Sequence, residues 1–339
     1  MNMTLRVGIS GYGLAGRYFH APLLKGCGYE VVGVVTTNPE RRADALSDFP
    51  DVAVVGSVKE LLALGLDLLV VATANVVHAS DAIAGLRAGV PVVVDKPMGR
   101  TLAETKSIID VSEETGVPVT TYFNRLFDSD SLTIKKALTE GVLGNVFRLD
   151  SRFERFRPGS NPKSWREANS AADGGGNLLD LGPHLVSLAL NWFGPAELTY
   201  ASVRSIRGLA DDDIVINLKH ASGVDSYLSA SSIIGADGPR IRLSGTEGSL
   251  VIKDLDYQEP RLREGQYPAG GVWNPPSITP ALIYRGDEVI EYSAEPGNYA
   301  TFYKLVGDAI AGKGAWPVTT DDALAVATIL DEARAVSIR

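Results

Sequence analysis

The sequence predicts an α/β protein. Its N-terminal part reads as a doubly wound parallel sheet, and its C-terminal part as an α/β domain on a large, mainly antiparallel, open-faced sheet. Three observations predict this. Up to residue 122, short valine-rich apolar runs alternate with helical stretches, the pattern of strands buried on both faces and joined by helical crossovers. From residue 124 onward, apolar and polar residues alternate with period 2 in runs that lack intervening helices, which indicates antiparallel strands with one covered face. The length of 339 residues has room for roughly two domains of ordinary size. The expected division is residues 1–123 and 124–339, with the C-terminal helix packing back on the first domain.

The strands of the first domain are expected at residues 5–10, 30–36, 52–55, 67–73, 90–95 and 117–122. Between them, Ser57-x-x-Glu60 and Thr101-x-x-Glu104 read as capping boxes, in which hydroxyl and carboxylate satisfy N–H groups orphaned at a helix start. Gly89 and Gly116 stand where a helix C-terminus calls for a left-handed residue. In the second domain a helix is expected over residues 129–140, stopped by Gly141 and Gly144. Along residues 146–154, Phe147, Leu149 and Phe153 share one face. Ile214, Ile216 and Leu218 alternate in the same way, as do Ile241 and Leu243. Residues 265–280, rich in glycine and proline, read as a surface loop or lid. Helical segments at 298–312 and from 321 onward close the chain. A sheet covered by helices on one side leaves its other face for a second subunit, so a homodimer or homotetramer through the C-terminal sheet is expected.

Composition removes several function classes. Hydrophobic residues make up 45% and charged residues 22%, which is ordinary for a globular protein and unlike a disordered one. The net charge of −9 repels a phosphate polymer, so nucleic acid is not an expected partner. The first residues read as a strand rather than a signal peptide, and no apolar run is long enough to span a bilayer. Cys27 is the one cysteine, so no intrachain disulfide forms; a cytoplasmic setting without membrane contact is expected. No residue cluster suggests a metal.

The sharpest local signal is Gly11-Tyr12-Gly13-Leu14-Ala15-Gly16, a G-x-G-x-x-G that follows an expected strand and opens an expected helix. In that context Gly11 permits the tight turn, Gly13 lets backbone approach a pyrophosphate, and Gly16 allows close helix–strand packing. The anion would sit on the helix N-terminus. Residues 1–123 are therefore expected to bind a dinucleotide. An NAD-preferring domain places an acid about 20 residues further on, to hold the ribose 2′-hydroxyl. Here Thr36-Thr37-Asn38 occupy that place, followed by Glu40-Arg41-Arg42. Hydroxyl and guanidinium groups suit a 2′-phosphate, so NADP is expected, with Thr36, Thr37 and Arg41 as binders and Arg42 as the alternate; NAD is the second choice.

Three more segments carry chemistry: Thr73-Ala74-Asn75-Val76-Val77-His78, Asp95-Lys96-Pro97, and Gly174-Gly175-Gly176…Asp180-Leu181-Gly182-Pro183-His184. The first two lie at strand carboxyl ends, which line the ligand crevice of such sheets. Thr73, Asn75, His78 and Lys96 are thus expected near the cofactor. Asp180 and His184 are four apart, on one face if both lie on one helix. His20 reads as a structural or pocket-wall residue, and His220 as solvated in a hairpin.

At these residues the sequence resembles the Gfo/Idh/MocA oxidoreductase family along essentially its whole length. The resemblance implies an N-terminal Rossmann domain and a C-terminal substrate-binding and oligomerisation domain, and it matches Lys96, Asp180 and His184 to the family's catalytic lysine, aspartate and histidine. Asp95 departs from the usual glutamate. Gly16-Arg17-Tyr18-Phe19-His20-Ala21-Pro22, Trp165-Arg166-Glu167 and Leu255-Asp256-Tyr257-Gln258-Glu259 resemble the branch that includes NADP-dependent scyllo-inositol dehydrogenases. That implies Trp165 and Arg166 near nicotinamide and substrate, and a crossover between domains at Asn124-Arg125. The implied reaction is hydride transfer between nicotinamide and a secondary hydroxyl or ketone of a small polyhydroxylated substrate. An imidazole, with an ordinary pKa of about 6.5, suits the proton transfer; which of Lys96 and His184 is the formal acid/base stays open. Tyr122, Phe153, Arg155, Trp165, Asp180, His184 and Lys96 are expected at the substrate. Two alternatives remain: a non-catalytic dinucleotide sensor, and a reductase of a non-sugar diol.

Overall fold

The structure is a computed structural model in which residues 4–159, 161, 164–208, 210–273 and 279–337 are described. The chain forms two compact units. The first comprises Met1–Asn124, Gln258–Pro276 and Asn298–Leu324; the second comprises Arg125–Tyr257, Ser277–Gly297 and Ala325–Arg339. After leaving the first unit the chain thus returns to it twice. No local pattern in the sequence announces those returns.

The first unit holds six parallel strands: β1 (Arg6–Ser10), β2 (Glu30–Val35), β3 (Ala53–Val55), β4 (Leu68–Val71), β5 (Val92–Asp95) and β6 (Val119–Tyr122). Their order is β3-β2-β1-β4-β5-β6, the doubly wound arrangement whose order reverses between β1 and β4 and opens a crevice at the strand carboxyl ends. Leu69, Val71, Val92 and Val94 pack with Leu86, Ile108 and Val111 in one buried cluster. Each such side chain stabilises by about 1.5–3 kcal/mol when removed from water, so valine-rich strands flanked by amphipathic helices suffice to close this core. Both N-caps form, Ser57 Oγ accepting from Glu60 N–H and Thr101 Oγ1 from Glu104 N–H, while the two carboxylates reach back to the N–H of Gly56 and Arg100, one residue before each cap. Gly89 and Gly116 adopt φ of 78° and 67°, as their helix ends require.

The second unit carries eight strands: β7 (Val146–Glu154), β8 (Ala196–Arg204), β9 (Asp213–His220), β10 (Asp225–Ser231), β11 (Ile241–Gly245), β12 (Gly248–Ile252), β13 (Ala281–Arg285) and β14 (Glu288–Tyr292). They are ordered β14-β13-β12-β11-β7-β10-β9-β8. Only β7 with β10 runs parallel; the other neighbours are antiparallel. Leu149, Phe153, Ile214, Ile216, Leu218, Ile241 and Leu243 are buried. Phe147 shares their parity but is half exposed at the entry of β7, because burial lapses at the strand end. The opposite face presents Arg148, Tyr227 and Arg242 in register around Asp150. The helix Ser129–Glu140 ends at Gly141 with φ of 66°. His220 is not solvated: it is 2% exposed, with its ring nitrogens 2.9 Å from Gly194 O and Ser226 Oγ. Among the described residues, no helix is long and apolar enough to cross a membrane.

Candidate functional site

In the first unit the glycine loop separates into two kinds of glycine. A Cβ on Gly11 would lie 2.7 Å from Ala72 O, and one on Gly16 would lie 2.0 Å from Gly11 O. Both positions are closed to any side chain by the fold itself. A Cβ on Gly13 would meet only the Arg41 guanidinium, at 3.7 Å. The protein's own packing therefore leaves the space at Gly13 open. Leu14 and Ala15 begin the following helical segment, which passes through one π-turn at Gly16–His20 into the α-helix Ala21–Gly26. Tyr12 points away from the loop surface: its ring is buried and its hydroxyl donates to Asp48 Oδ2 at 2.9 Å. Burial, reinforced by Asp48, raises the Tyr12 phenol far above its ordinary value.

The end of β2 distinguishes the two arginines. Asn38 N–H donates to Thr36 Oγ1 (3.3 Å), and Asn38 Oδ1 caps the helix Pro39–Asp48 by accepting from Arg41 N–H (3.0 Å). Arg42 turns to β3 and donates to Val54 O at 3.2 Å. Arg41 instead extends over the glycine loop. Thr37 is exposed beside them.

At the end of β4, the Thr73 hydroxyl is buried and has no hydrogen-bond partner among the described residues. Asn75 opens the helix Asn75–Arg87 and is 6% exposed. His78 is enclosed, with Nδ1 2.9 Å from Pro97 O and Nε2 3.2 Å from Thr73 O. Burial lowers its pKa, and a neutral ring donates one hydrogen bond, to one of these two carbonyls. Its ring thus sits between the segments that follow β4 and β5. Lys96 follows β5, half-buried, and its N–H donates to Asp95 Oδ1 at 2.8 Å. Tyr122, expected at the substrate, is 2% exposed. Its ring packs against His20, Phe302 and Tyr303 with centroids 4.5, 4.9 and 5.9 Å away. The aromatic residues of the returning helix Ala300–Ile310 enclose it, which no pattern near residue 122 could reveal.

In the second unit, Asp180 and His184 do not share a helix. Asp180 ends the short helix Asn177–Asp180, the chain breaks at Leu181 (φ −110°, ψ −29°), and His184 lies in the first turn of Gly182–Phe193. Asp180 Oδ1 lies 3.3 Å from Arg166 Nε, and the Arg166 guanidinium stacks 4.5 Å over the Trp165 ring. Trp165, Arg166 and Asp180 are thus one group. The glycines before it are steric. A Cβ on Gly175 would strike Asn169 O at 2.1 Å, and one on Gly176 would strike Asp211 Oδ1 at 1.9 Å. Asp211, which sequence reasoning missed, caps this segment: its Oδ2 accepts from Leu178 N–H at 2.7 Å. The acidic run Asp211-Asp212-Asp213 was the signal available. Burial raises the Asp211 carboxyl.

His184 is 5% exposed, and its ring lies 6.3 Å from that of Phe153. Phe153 is itself 3% exposed, with the Arg240 and Arg125 guanidinium groups 3.9 and 5.1 Å from its centroid. Phe153, expected at the substrate, forms a buried wall beside His184, with two cations over its ring. Arg155 is half-buried just beyond β7. Asn124 opens a short 3₁₀ turn at the end of the first unit. Of the expected loop at 265–280, residues 274–278 lie outside the described residues. No group of three or more His, Cys, Asp or Glu residues is placed to hold a metal ion among the described residues.

Comparison with known proteins agrees with this architecture. Residues 5–123 match the model of an oxidoreductase family with an NAD-binding Rossmann fold, and residues 131–251 match the Gfo/Idh/MocA C-terminal domain. The uncharacterized oxidoreductase YdgJ of Escherichia coli K12 is 34% identical over 98% of this chain and 96% of its own length. The NADP(+)-dependent scyllo-inositol 2-dehydrogenase IolW of Bacillus subtilis is 32% identical over 97% of this chain and 93% of its own. The crystal structure of an oxidoreductase from Bacillus cereus superposes with a TM-score of 0.82 at 26% identity, covering 98% of this chain and 96% of that one. With both family domains matched in order and relatives aligned end to end, the chain belongs to the Gfo/Idh/MocA family of oxidoreductases, with an NAD-binding Rossmann domain.

Proposed function

We propose that this protein is an NADP(H)-preferring dehydrogenase that moves a hydride between nicotinamide and a secondary hydroxyl or ketone carbon of a polyol or sugar. Scyllo-inositol and the matching inosose are the first substrates to try, since the Bacillus subtilis relative bears that activity and cofactor in its name. The observation that carries the cofactor preference is Arg41. Its guanidinium lies over Gly13, beside a strand end where Thr36, Thr37 and Asn38 supply no acid to repel a 2′-phosphate.

The residues present fit a dinucleotide. Gly13 leaves open a cradle that a Cβ would enter, and Thr73 offers a buried hydroxyl without a partner. The backbone of Gly11–Gly16 would hold the pyrophosphate, Arg41 with Thr36 and Thr37 the 2′-phosphate, and Thr73 and Asn75 would offer further polar contacts. When bound, the nicotinamide supplies the hydride acceptor or donor. The chain's own residues then manage one proton. His184 takes it from the substrate hydroxyl during oxidation and returns it during reduction. Lys96 supplies a cationic hydrogen-bond donor for developing negative charge. Asp180, held by Arg166, orients the imidazole.

The test is absorbance of the reduced nicotinamide during turnover of scyllo-inositol, myo-inositol and aldoses with NADP⁺ and with NAD⁺, and of inososes with NADPH. Oxidation of a polyol with NADP⁺ preferred is the expected result. Preference for NAD⁺ overturns the Arg41 argument. Tight NADPH binding with no turnover of any polyol or inosose overturns the substrate class.

A further inference from the structure

Outside the groups assigned to the reaction, the second unit encloses an arginine that gathers three separate stretches of chain. Arg207 lies in the connection between β8 and β9, and its side chain is 11% exposed. Its Nε donates to Asp212 Oδ2 at 2.9 Å. Its Nη1 faces Arg157 O at 3.0 Å, Glu167 Oε2 at 3.3 Å and Gly159 O at 3.4 Å. Asp212 is buried and aims the guanidinium, since its carboxylate also accepts from the N–H groups of Ile206 and Arg207. The Asp212 carbonyl accepts from Ser232 N–H and from Asn177 Nδ2, both at 2.8 Å. Glu167 Oε2 accepts a second bond, from Asn161 N–H at 3.0 Å, and Glu167 O accepts from Ala210 N–H at 3.3 Å. Glu167 belongs to the four-residue helix Trp165–Ala168, and Arg166 O accepts from Gly176 N–H at 2.8 Å. Among the described residues, the stretch 157–168 adds no strand to the sheet, so point contacts of this kind set its course.

We propose that Arg207, with Glu167 as its partner, is a positioning residue that sets Trp165 and Arg166 for the substrate. The inference rests on the reading of those two residues at the substrate and deepens it. A helix of four residues has too few internal bonds to hold itself in water. Arg207 supplies what it lacks. One planar fork meets the Asp212 carboxylate, the Glu167 carboxylate on the helix, and two carbonyls of the chain that leads to it; a lysine would offer only a point charge. Glu167 is next to Arg166, whose guanidinium lies 3.3 Å from Asp180 and stacks on the Trp165 ring. Asp212 carries the same frame to the neighbouring segment, because Asn177, bonded to its carbonyl, opens the helix that ends at Asp180. One clamp thus fixes Trp165, Arg166 and Asp180 against one another. It also gives a role to Glu167, the member of Trp165-Arg166-Glu167 that the reaction does not use.

The test compares Arg207→Ala, Arg207→Lys and Glu167→Ala, and Arg166→Ala with and without Glu167→Ala, in the full-length protein labelled with 5-fluorotryptophan. Fluorine-19 NMR, with Trp165 assigned from the Trp165→Phe spectrum, reads the setting of that ring without turnover. The Trp165 resonance is expected to shift or broaden in Arg207→Lys and in Glu167→Ala, while those of Trp192, Trp273 and Trp316 stay in place. For the polyol or sugar turned over fastest, kcat/KM should fall by about 10–100-fold, with NADPH affinity kept within about threefold. In the Arg166→Ala background, Glu167→Ala should cost no more than about twofold further. A general loosening of the fold would instead move all four resonances and add its cost to that of Arg166→Ala. An unmoved Trp165 resonance in both Arg207→Lys and Glu167→Ala overturns the proposal, as does a full additional loss in the Arg166→Ala background. If Arg207→Ala does not fold, Arg207→Lys and Glu167→Ala decide. A moved resonance with no effect of Trp165→Phe or Arg166→Ala on turnover overturns the placement of those two residues at the substrate rather than the clamp, and the two failures are thereby distinguished.

Discussion

At the scale of single residues, Lys96 and His184 are placed by different means. Lys96 is tied through its backbone to Asp95, while His184 is walled by Phe153, itself held by two buried guanidinium groups. Proton handling by a positioned group contributes about 10²–10⁴ in rate. Lys96→Ala and His184→Ala are each expected to lose at least about 100-fold in kcat, with NADPH affinity retained by fluorescence titration. Near-normal turnover in either variant removes that residue from the reaction. His78 predicts a pH effect on stability. Burial lowers its pKa in the folded protein, so the unfolded chain binds the proton first and stability falls as pH drops below about 6.5. His78→Gln should be less stable near neutral pH, since it loses the ring's bond to Pro97 O or Thr73 O. Its urea midpoint should also fall less than the wild type's between about pH 7.5 and 5.5.

At the scale of elements, the end of β2 is where the cofactor choice is made. A hydrogen bond to a charged group contributes about 1.5–3 kcal/mol, or roughly 10–100-fold in affinity. Arg41→Ala should therefore reduce the ratio of NADP⁺ to NAD⁺ kcat/KM by that range, and Arg42→Ala should not, because Arg42 is engaged with Val54 O. An equal loss in both variants would show that the helix position, not the Arg41 contact, sets the preference. Local chemistry made these elements legible in the sequence: Ser57, Thr101, Gly89 and Gly116 each bound a helix through interactions within a few residues. The same locality explains what was hidden. The turn before the break at Leu181 is held by Asp211, which accepts from Leu178 N–H. That is a contact across more than thirty residues of sequence for Asp211, and spacing alone reads it as one continuous helix. The enclosure of Tyr122 was hidden for the same reason: its neighbours Phe302 and Tyr303 come from the far end of the chain.

At the scale of the whole molecule, the eight-stranded sheet has one face built for its own helices and one that is not. On the second face, Asp150 is 4% exposed although it faces away from the core. Arg148 and Arg242 donate to it, Arg152 lies 3.9 Å away, and the Arg148 guanidinium stacks 4.6 Å from the Tyr227 ring. Tyr227, Tyr200 and Val289 are 39%, 54% and 52% exposed. Aromatic residues and arginines at the centre of a patch are the composition of protein interfaces rather than of solvated surface. An open sheet of this width with aromatic side chains standing on it is expected to be covered by the same face of a second copy, since self-complementary two-fold contacts are the commonest way to close such a surface. Tyr200→Glu with Tyr227→Glu would place two carboxylates per chain in that contact, where like charges meet their symmetry mates and lose water together. Light scattering behind size-exclusion chromatography should then report about half the wild-type mass or less, with the circular dichroism spectrum unchanged. A wild-type protein of monomer mass, or a double variant that keeps the wild-type mass, would show that this face is not the interface.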